Sequence, residues 1–151
     1  MPSEPAPASN AFKHWFNEQR YRDLAALLAA EGFSRDDVLR LAAALQKASS
    51  HPLALAVMNK VREEQLPVPE AQDAKALPGR GVEGTVHGRK LALGSTRMLR
   101  EFHLNEGHLL DHAQRLERQG KTVSWLIGSD DDQWRLLGLL AFGDTIKQTA
   151  A

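Results

Sequence analysis

Two short segments combine residue types that suit the binding of a flat ligand. His51 is followed by Pro52, and an imidazole at such a corner can pack against a ring or cap a helix. The second segment contains Gly79, Gly81 and Gly84, whose missing side chains let a ligand approach the main chain closely. Taken singly, each segment also has an ordinary structural explanation, namely a capping histidine and a bulged start of a hairpin.

The glycine spacing, G-x-G-x-x-G, matches the letters of a dinucleotide-binding fingerprint, but its context differs. That fingerprint follows a strand and opens a helix, so that phosphate meets the helix N-terminus. Here the glycines precede β-type residues such as Val82, Thr85 and Val86, and the Gly-Lys-Ser/Thr sequence of a P-loop is missing. The segment is therefore predicted to be neither a Rossmann turn nor a P-loop.

Other polar clusters are candidates for a metal or catalytic site. His108 and His112 share one helix face and His103 is near in sequence, but zinc needs three or four converging ligands, so the pattern favours solvated surface histidines. The aspartates at 130–132 lack the spacing of an EF-hand loop and favour a charged turn. No Ser/His/Asp set has the strand–turn context of a hydrolase nucleophile. We predict no catalytic residue and no protein metal site.

Composition narrows the function classes. The chain has 151 residues, no cysteine and a formal net charge of zero, which suits one globular domain and excludes disulfides and thiolate metal sites. The charge balance argues against a general nucleic-acid binder. No apolar run reaches the roughly 20 residues of a membrane span, and the start of the chain lacks the features of a signal peptide. We predict a soluble segment without direct membrane insertion.

The elements that must position the two segments follow from hydrophobic periodicity. Residues 1–10 are rich in Pro, Ala and Ser, which predicts a flexible leader, and apolar residues at helical spacing predict a helix over 12–30. Ser34 opens a capping-box-like sequence, which predicts a helix with Val38, Leu41 and Leu45 on its apolar face. Pro52 suits the first turn of a second helix that reaches about residue 64.

The second half of the chain predicts strands and short helices. Strands are expected at 82–86 and 90–93, with a turn at 87–88, after a loop that contains Pro67 and Pro69. Ser95 or Thr96 begins a short helix, a further helix runs from Asn105 to the residue before Gly120, and strands follow at 122–127 and 134–142. This order predicts an α+β fold, an antiparallel sheet of about six strands flanked by two helical hairpins. The three tryptophans are interpreted as core or interface anchors.

Several ordered motifs together resemble the nucleotide-binding domain of heavy-metal-transporting P-type ATPases, the copper/silver or zinc/cadmium/lead exporters. ALQKASSHPLA at 44–54 is similar to the His-Pro motif of that family, and LPGRGVEGTV at 77–86 is similar to its glycine motif. LG at 93–94, QGKT at 119–122 and LGLLAFGD at 137–144 agree as well. The resemblance implies a nucleotide-binding domain at 31–147, preceded by a leader, helix or tag at 1–30 and followed at 148–151 by the start of a return to the phosphorylation domain. It also implies a strand before Gly32, where periodicity predicts a helix.

The resemblance implies that ATP lies with its adenine between His51 and the glycine loop. The triphosphate would project outwards to a separate phosphorylation domain, with Mg²⁺ bound through the phosphates and mainly to ligands outside this chain. The residues that the resemblance places around the nucleotide are Gln46, Ser50, His51, Pro52, Gly79, Arg80, Gly81, Val82, Gly84, Gly94 and Ser95.

Two positions depart from the family pattern. Gln46 stands where the family often has Glu, and an amide can still accept from and donate to the adenine edge. Ser95 stands where copper pumps often have Asn, and its side chain is shorter. These departures bear on the affinity for ATP and on the metal subclass.

The motifs that carry phosphorylation are missing from the chain. The Asp-Lys-Thr-Gly-Thr and Gly-Asp-Gly-x-Asn-Asp sequences do not occur, which suggests an excised domain that is nearly inactive alone. The resemblance implies phosphorylation and actuator domains of the same parent chain as partners, a parent protein integral to the inner or plasma membrane, and a position of this segment on the cytoplasmic side, monomeric in isolation. The alternative is a non-catalytic interaction module that keeps the fold and has weak or lost nucleotide binding, with Phe12, Trp15 and Phe16 on a docking helix.

Overall fold

The structure, a computed structural model, describes residues 23–47, 52–77 and 81–143. The elements in chain order are β1 (Leu24–Ala29), α1 (Arg35–Gln46), α2 (Pro52–Glu63), β2 (Gln72–Leu77), β3 (Gly81–Val86), β4 (Arg89–Gly94), α3 (Thr96–Glu101), a 3-10 helix (Gly107–Leu109), α4 (Leu110–Arg118), β5 (Thr122–Asp130) and β6 (Gln133–Phe142). The predicted α+β class is confirmed.

The six strands form one antiparallel sheet in the order β1-β6-β5-β4-β3-β2. The pair α1 and α2 packs on one face, around a core that includes Leu39, Leu91 and Leu126. Helices α3 and α4 cover the other face. Val123, Trp125 and Ile127 all point to this face, because successive side chains of a strand alternate between the two faces of the sheet. The central strands of the sheet are therefore buried on both faces between two helical layers, whereas the edge strand β2 is mostly exposed.

Helix α1 begins and packs as the sequence dictates. Ser34 is its N-cap, and the Ser34 Oγ accepts a hydrogen bond of 3.0 Å from the backbone N–H of Asp37, which satisfies one of the donors left free at a helix start. The helix lies directly on the sheet at Gly138, where an added Cβ would come within 2.7 Å of Val38 Cγ1. Glycine at this position sets how closely α1 approaches β6.

The helix predicted over 12–30 is wrong for the part that the structure describes. Residues Leu24–Ala29 form strand β1, which pairs with β6, in agreement with the strand that the family resemblance implies. Strand β2 was also missed, since its residues QDAKAL are mostly exposed and carry no apolar alternation. Residues 1–22 and 144–151 lie outside the described residues, and the domain limits 31–147 remain a prediction.

The two outer ends of the described chain meet at one end of the sheet. Leu24 pairs with Phe142, and the backbone N–H of Gly143 donates a 3.0 Å hydrogen bond to the carbonyl of Asp23. Thr122, at the start of β5, also pairs with Phe142. We call this end of the sheet the connection end. Among the described residues, no helix has both the length and the hydropathy to cross a membrane.

A surface ion pair ties the start of α1 to the end of α2 and gives a pH-dependent prediction. The Arg35 Nη1 and Nη2 donate to the two carboxylate oxygens of Glu64 at 3.2 and 3.3 Å. This hydrogen bonding, helped by the charges of Arg35 and Lys60, holds the pKa of Glu64 below its usual value, although partial burial works in the opposite direction. The resulting stabilisation is present above the unfolded-state pKa of about 4.3 and is lost as the pH falls through the lower folded-state pKa.

We therefore expect Glu64→Gln to lower the melting temperature slightly at pH 6 and to have a smaller effect at pH 3. The effect is small because the pair is partly solvated. Thermal unfolding followed by circular dichroism across this pH range measures it. Glu117→Gln is the control, since Glu117 is exposed on α4 and has no ion pair within the described segments. A Glu64→Gln effect that stayed constant or grew towards acid would contradict the assignment.

Candidate functional site

The structure describes seven of the eleven residues predicted around the nucleotide. Gln46, Gly81, Val82, Gly84, Gly94 and Ser95 are described with their surroundings, and Pro52 is described only as the first residue of α2. Ser50, His51, Gly79 and Arg80 lie outside the described residues. The adenine is predicted to lie between the His51 corner and the glycine loop. Of these two sides, the structure describes the last turn of α1, which precedes the corner, and the first residues of β3, which end the loop.

Gly81 and Gly94 bring two strands into unusually close contact. They are directly opposite each other in the β3–β4 ladder, and Gly81 has a φ of +154°. A Cβ at Gly81 would lie 2.0 Å from the carbonyl oxygen of Leu93 and 2.6 Å from the Cα of Gly94. The main chain of Gly81 therefore packs directly on that of β4, where Gly94 is buried, and only glycine fits at residue 81.

The neighbouring positions of β3 face α1. A Cβ at Gly84 would come within 2.9 Å of Leu45 Cδ2 and 3.3 Å of Ala74 Cα, so the space above Gly84 is taken by the side chain of Leu45. Val82, on the same face, is half-buried and packs against the core beneath α1 and α2. These two residues hold α1 against β3, which brings the helix end that carries Gln46 to this part of the sheet.

Gln46 is the last residue of α1 and is only 6% exposed. A buried amide carries two N–H donors and a carbonyl acceptor and is costly to bury without partners. Lys47 follows Gln46, and its Nζ lies 2.9 Å from Oε2 of Glu70, which belongs to the segment that leads into β2. The ion pair joins the end of α1 to that segment.

Ser95 is engaged in capping, which the sequence suggested as one of its two roles. It is the N-cap of α3, and its Oγ accepts from the backbone N–H of Met98 at 3.4 Å. The next residue, Thr96, accepts a 3.0 Å hydrogen bond at Oγ1 from the indole Nε1 of Trp125. Trp125 is fully buried and pairs with Gly94 in the sheet. Sequence reasoning missed this link because it joins residues 29 positions apart.

Charges around the glycine pair are locally balanced. Lys75 on β2 lies 3.3 Å from Glu83 on β3, and Lys47 is paired with Glu70. In the described ranges, no group of three His, Cys, Asp or Glu side chains is arranged to hold a metal ion, and this includes His103, His108 and His112. What these residues offer is closely packed main chain, an amide and apolar surface rather than a phosphate clamp or a metal centre.

Register places the glycine pair near the connection end of the sheet. One row across all six strands contains Leu28, Leu139, Trp125, Gly94, Gly81 and Leu77. Trp125 and Thr122 are three residues apart on β5, so this row lies about 10 Å from the row of Leu24 and Phe142. The predicted site and the two chain connections therefore share one half of the sheet.

Comparison with known proteins gives sequence relatives and structural neighbours, while no family model matches the chain. A copper-transporting P-type ATPase of Rhizobium leguminosarum bv. viciae is 35% identical over 116 residues, which are 77% of this chain and 13% of that protein. Copper-exporting P-type ATPase B of Archaeoglobus fulgidus is 31% identical over 114 residues, 76% of this chain and 16% of that protein. The chain thus spans about one seventh of the length of these relatives.

Solved structures give the same result. The crystal structure of the N-domain of a copper-transporting P-type ATPase matches with a TM-score of 0.64 and 25% identity, over 80% of this chain and 99% of that one. A zinc-transporting PIB-type ATPase matches with a TM-score of 0.70 and 25% identity, over 86% of this chain and 23% of that one. Together with the sequence relatives, these matches identify the chain as a homologue of the N-domain segment of heavy-metal-transporting P-type ATPases.

Proposed function

We propose that the chain is the ATP-binding domain of a heavy-metal-transporting P-type ATPase, which holds ATP by its adenine and presents the γ-phosphate to a separate phosphorylation domain of the same parent chain. The observation that supports it best is the close main-chain contact of Gly81 with Gly94, on the same strand as Gly84, which Leu45 of α1 covers, in a homologue of such N-domains.

In this proposal the adenine ring packs between His51 and the main chain at Gly79 and Gly81. Gly79 and Gly81 have no side chains that would keep the ring and the sugar away from the main chain, and Gln46 offers its amide to the polar edge of the base. Pro52 and Ser50 hold the histidine corner, while Arg80 and Ser95 flank the sugar side. Val82 and Gly84 act through packing, because Gly84 is covered by Leu45.

The position of the glycine pair supports presentation rather than hydrolysis. Its row in the sheet lies about 10 Å from the connection end, so a nucleotide held there would project towards whatever the chain connects to. Phosphoryl transfer rests mainly on positioning and electrostatic stabilisation. Since the nearby lysines are paired with carboxylates, the proposal assigns phosphate and Mg²⁺ contacts mainly to the phosphorylation domain, with an actuator domain as a further part of the membrane-embedded parent.

A calorimetric titration of the 151-residue chain with ATP, ADP and AMP tests the proposal. We expect measurable binding of all three with affinities within a few-fold of each other, because the base and the sugar dominate recognition, and little or no ATP turnover. A flat titration at millimolar ATP with a folded protein would contradict the proposal and favour a non-catalytic interaction module. A large preference for ATP over AMP would contradict the adenine-based mode of binding.

A further inference from the structure

We infer that Trp125 and Thr96 form a positioning pair for the proposed nucleotide site, an inference that rests on the proposed function. Trp125 is fully buried on the face of the sheet covered by α3 and α4. Its indole Nε1 donates to Thr96 Oγ1 at 3.0 Å. Thr96 is the first residue of α3, two residues after Gly94.

The pair fixes the corner between β4 and α3 from two directions. The backbone of Trp125 is opposite Gly94 in the β4–β5 ladder, and its side chain reaches over to the first turn of α3 through the hydroxyl of Thr96. A buried indole N–H needs a hydrogen-bond acceptor, since an unsatisfied buried donor is costly. The corner Gly94–Ser95–Thr96 is therefore held to β5 by main chain and side chain together.

The same corner is in direct contact with Gly81, because it includes Gly94, the partner of Gly81 in the sheet. Gly81 packs against Leu93 and Gly94 so closely that no side chain fits between them. A shift of the corner by a few tenths of an ångström would consequently move the main chain of Gly81, against which the proposal places the adenine and the sugar. Trp125 lies directly beside Gly94 in the sheet, and the proposal places neither Trp125 nor Thr96 in contact with the nucleotide, so they act through Gly94 and Ser95.

A matched pair of variants at one position tests the inference. Thr96→Val keeps the shape of the side chain and removes the acceptor, whereas Thr96→Ser keeps the acceptor. We expect Thr96→Val to weaken ATP, ADP and AMP binding by one common factor of about two- to tenfold, the range that a single hydrogen bond supports. Thr96→Ser is expected to bind within about twofold of the original chain, by the same reasoning.

Val123→Ala controls for general destabilisation, because Val123 is buried in the same cluster on β5 but pairs with Ala141 of β6 and has no partner on β4. It is expected to lower the melting temperature without changing nucleotide affinity. A Thr96→Val variant that binds as tightly as the original chain, or a Val123→Ala variant that loses affinity equally, would overturn the positioning role. Absence of binding by the original chain would instead overturn the proposed function.

A readout on the unmodified chain keeps the test independent of whether the variants fold. The indole N–H signal of Trp125, assigned in a ¹⁵N-labelled NMR spectrum from its through-space contacts with Thr96, is expected to shift when ATP is added. The indole signal of Trp134 is expected to stay in place, because Trp134 pairs with Ser129 near the opposite end of the sheet. A saturating ATP titration that leaves the Trp125 signal unmoved would contradict the inference.

Discussion

Gly81→Ala is expected to lower the free energy of unfolding by about 2–4 kcal/mol, the range of severe backbone strain and overpacking. The new Cβ would stand 2.0 Å from the carbonyl oxygen of Leu93, a contact with main chain that no rotamer relieves. The φ of +154° is also one that residues with a side chain rarely adopt. Urea unfolding followed by far-UV circular dichroism measures the loss.

Gly120→Ala provides the matched control for the cost of backbone conformation alone. Gly120 ends α4 with a φ of +85°, and a Cβ there would meet nothing within 4 Å. Its replacement should cost about 1 kcal/mol, the usual penalty of a left-handed conformation. Equal losses for the two alanines would show that β3 and β4 can separate at the glycine pair, and would remove the close contact on which the site depends.

His51→Ala is expected to weaken ATP binding roughly 5- to 150-fold, the equivalent of a stacking contribution of about 1–3 kcal/mol. The same factor is expected for ADP and AMP, because in the proposal His51 contacts only the base. Calorimetric titration measures the three affinities, and circular dichroism checks that the fold is retained.

Two further variants sharpen this prediction. His108→Ala removes an exposed imidazole from the 3-10 helix beside α4, away from β3, and should leave the affinities unchanged. His51→Phe keeps an aromatic face and should recover part of the binding if the ring stacks on the purine. An unchanged affinity in His51→Ala, with binding present in the original chain, would remove His51 from the site.

Short-range signals in the sequence predicted most of the elements correctly. The cap at Ser34, the turn at His87-Gly88 and the left-handed Gly120 each depend on a few adjacent residues. Strand β1 was mistaken for a helix because both of its faces are packed. Leu27 faces the core beneath α1 and α2, while Leu28 packs on the opposite cluster. A strand covered on two sides loses its alternation and resembles a buried helix.

Strand β2 and the Trp125–Thr96 link were missed for a different reason. The residues of β2 are exposed and polar, so the strand is held mainly by main-chain pairing with β3 and by contacts such as that of Lys75 with Glu83. The indole bond spans the whole of α3 and α4. Both depend on which strands become neighbours, and a local pattern of residue types carries no such information.

The pairing of β1 with β6 at the connection end has a mechanical consequence. A tensile load applied through Asp23 and Gly143 would act on two antiparallel neighbours from the same side, where the bond from Gly143 to Asp23 is the outermost one among the described residues. In this geometry the hydrogen bonds between the two strands break one after another instead of sharing the load. Force transmitted through the chain would thus peel β1 away from β6 before it could disturb β3 and β4.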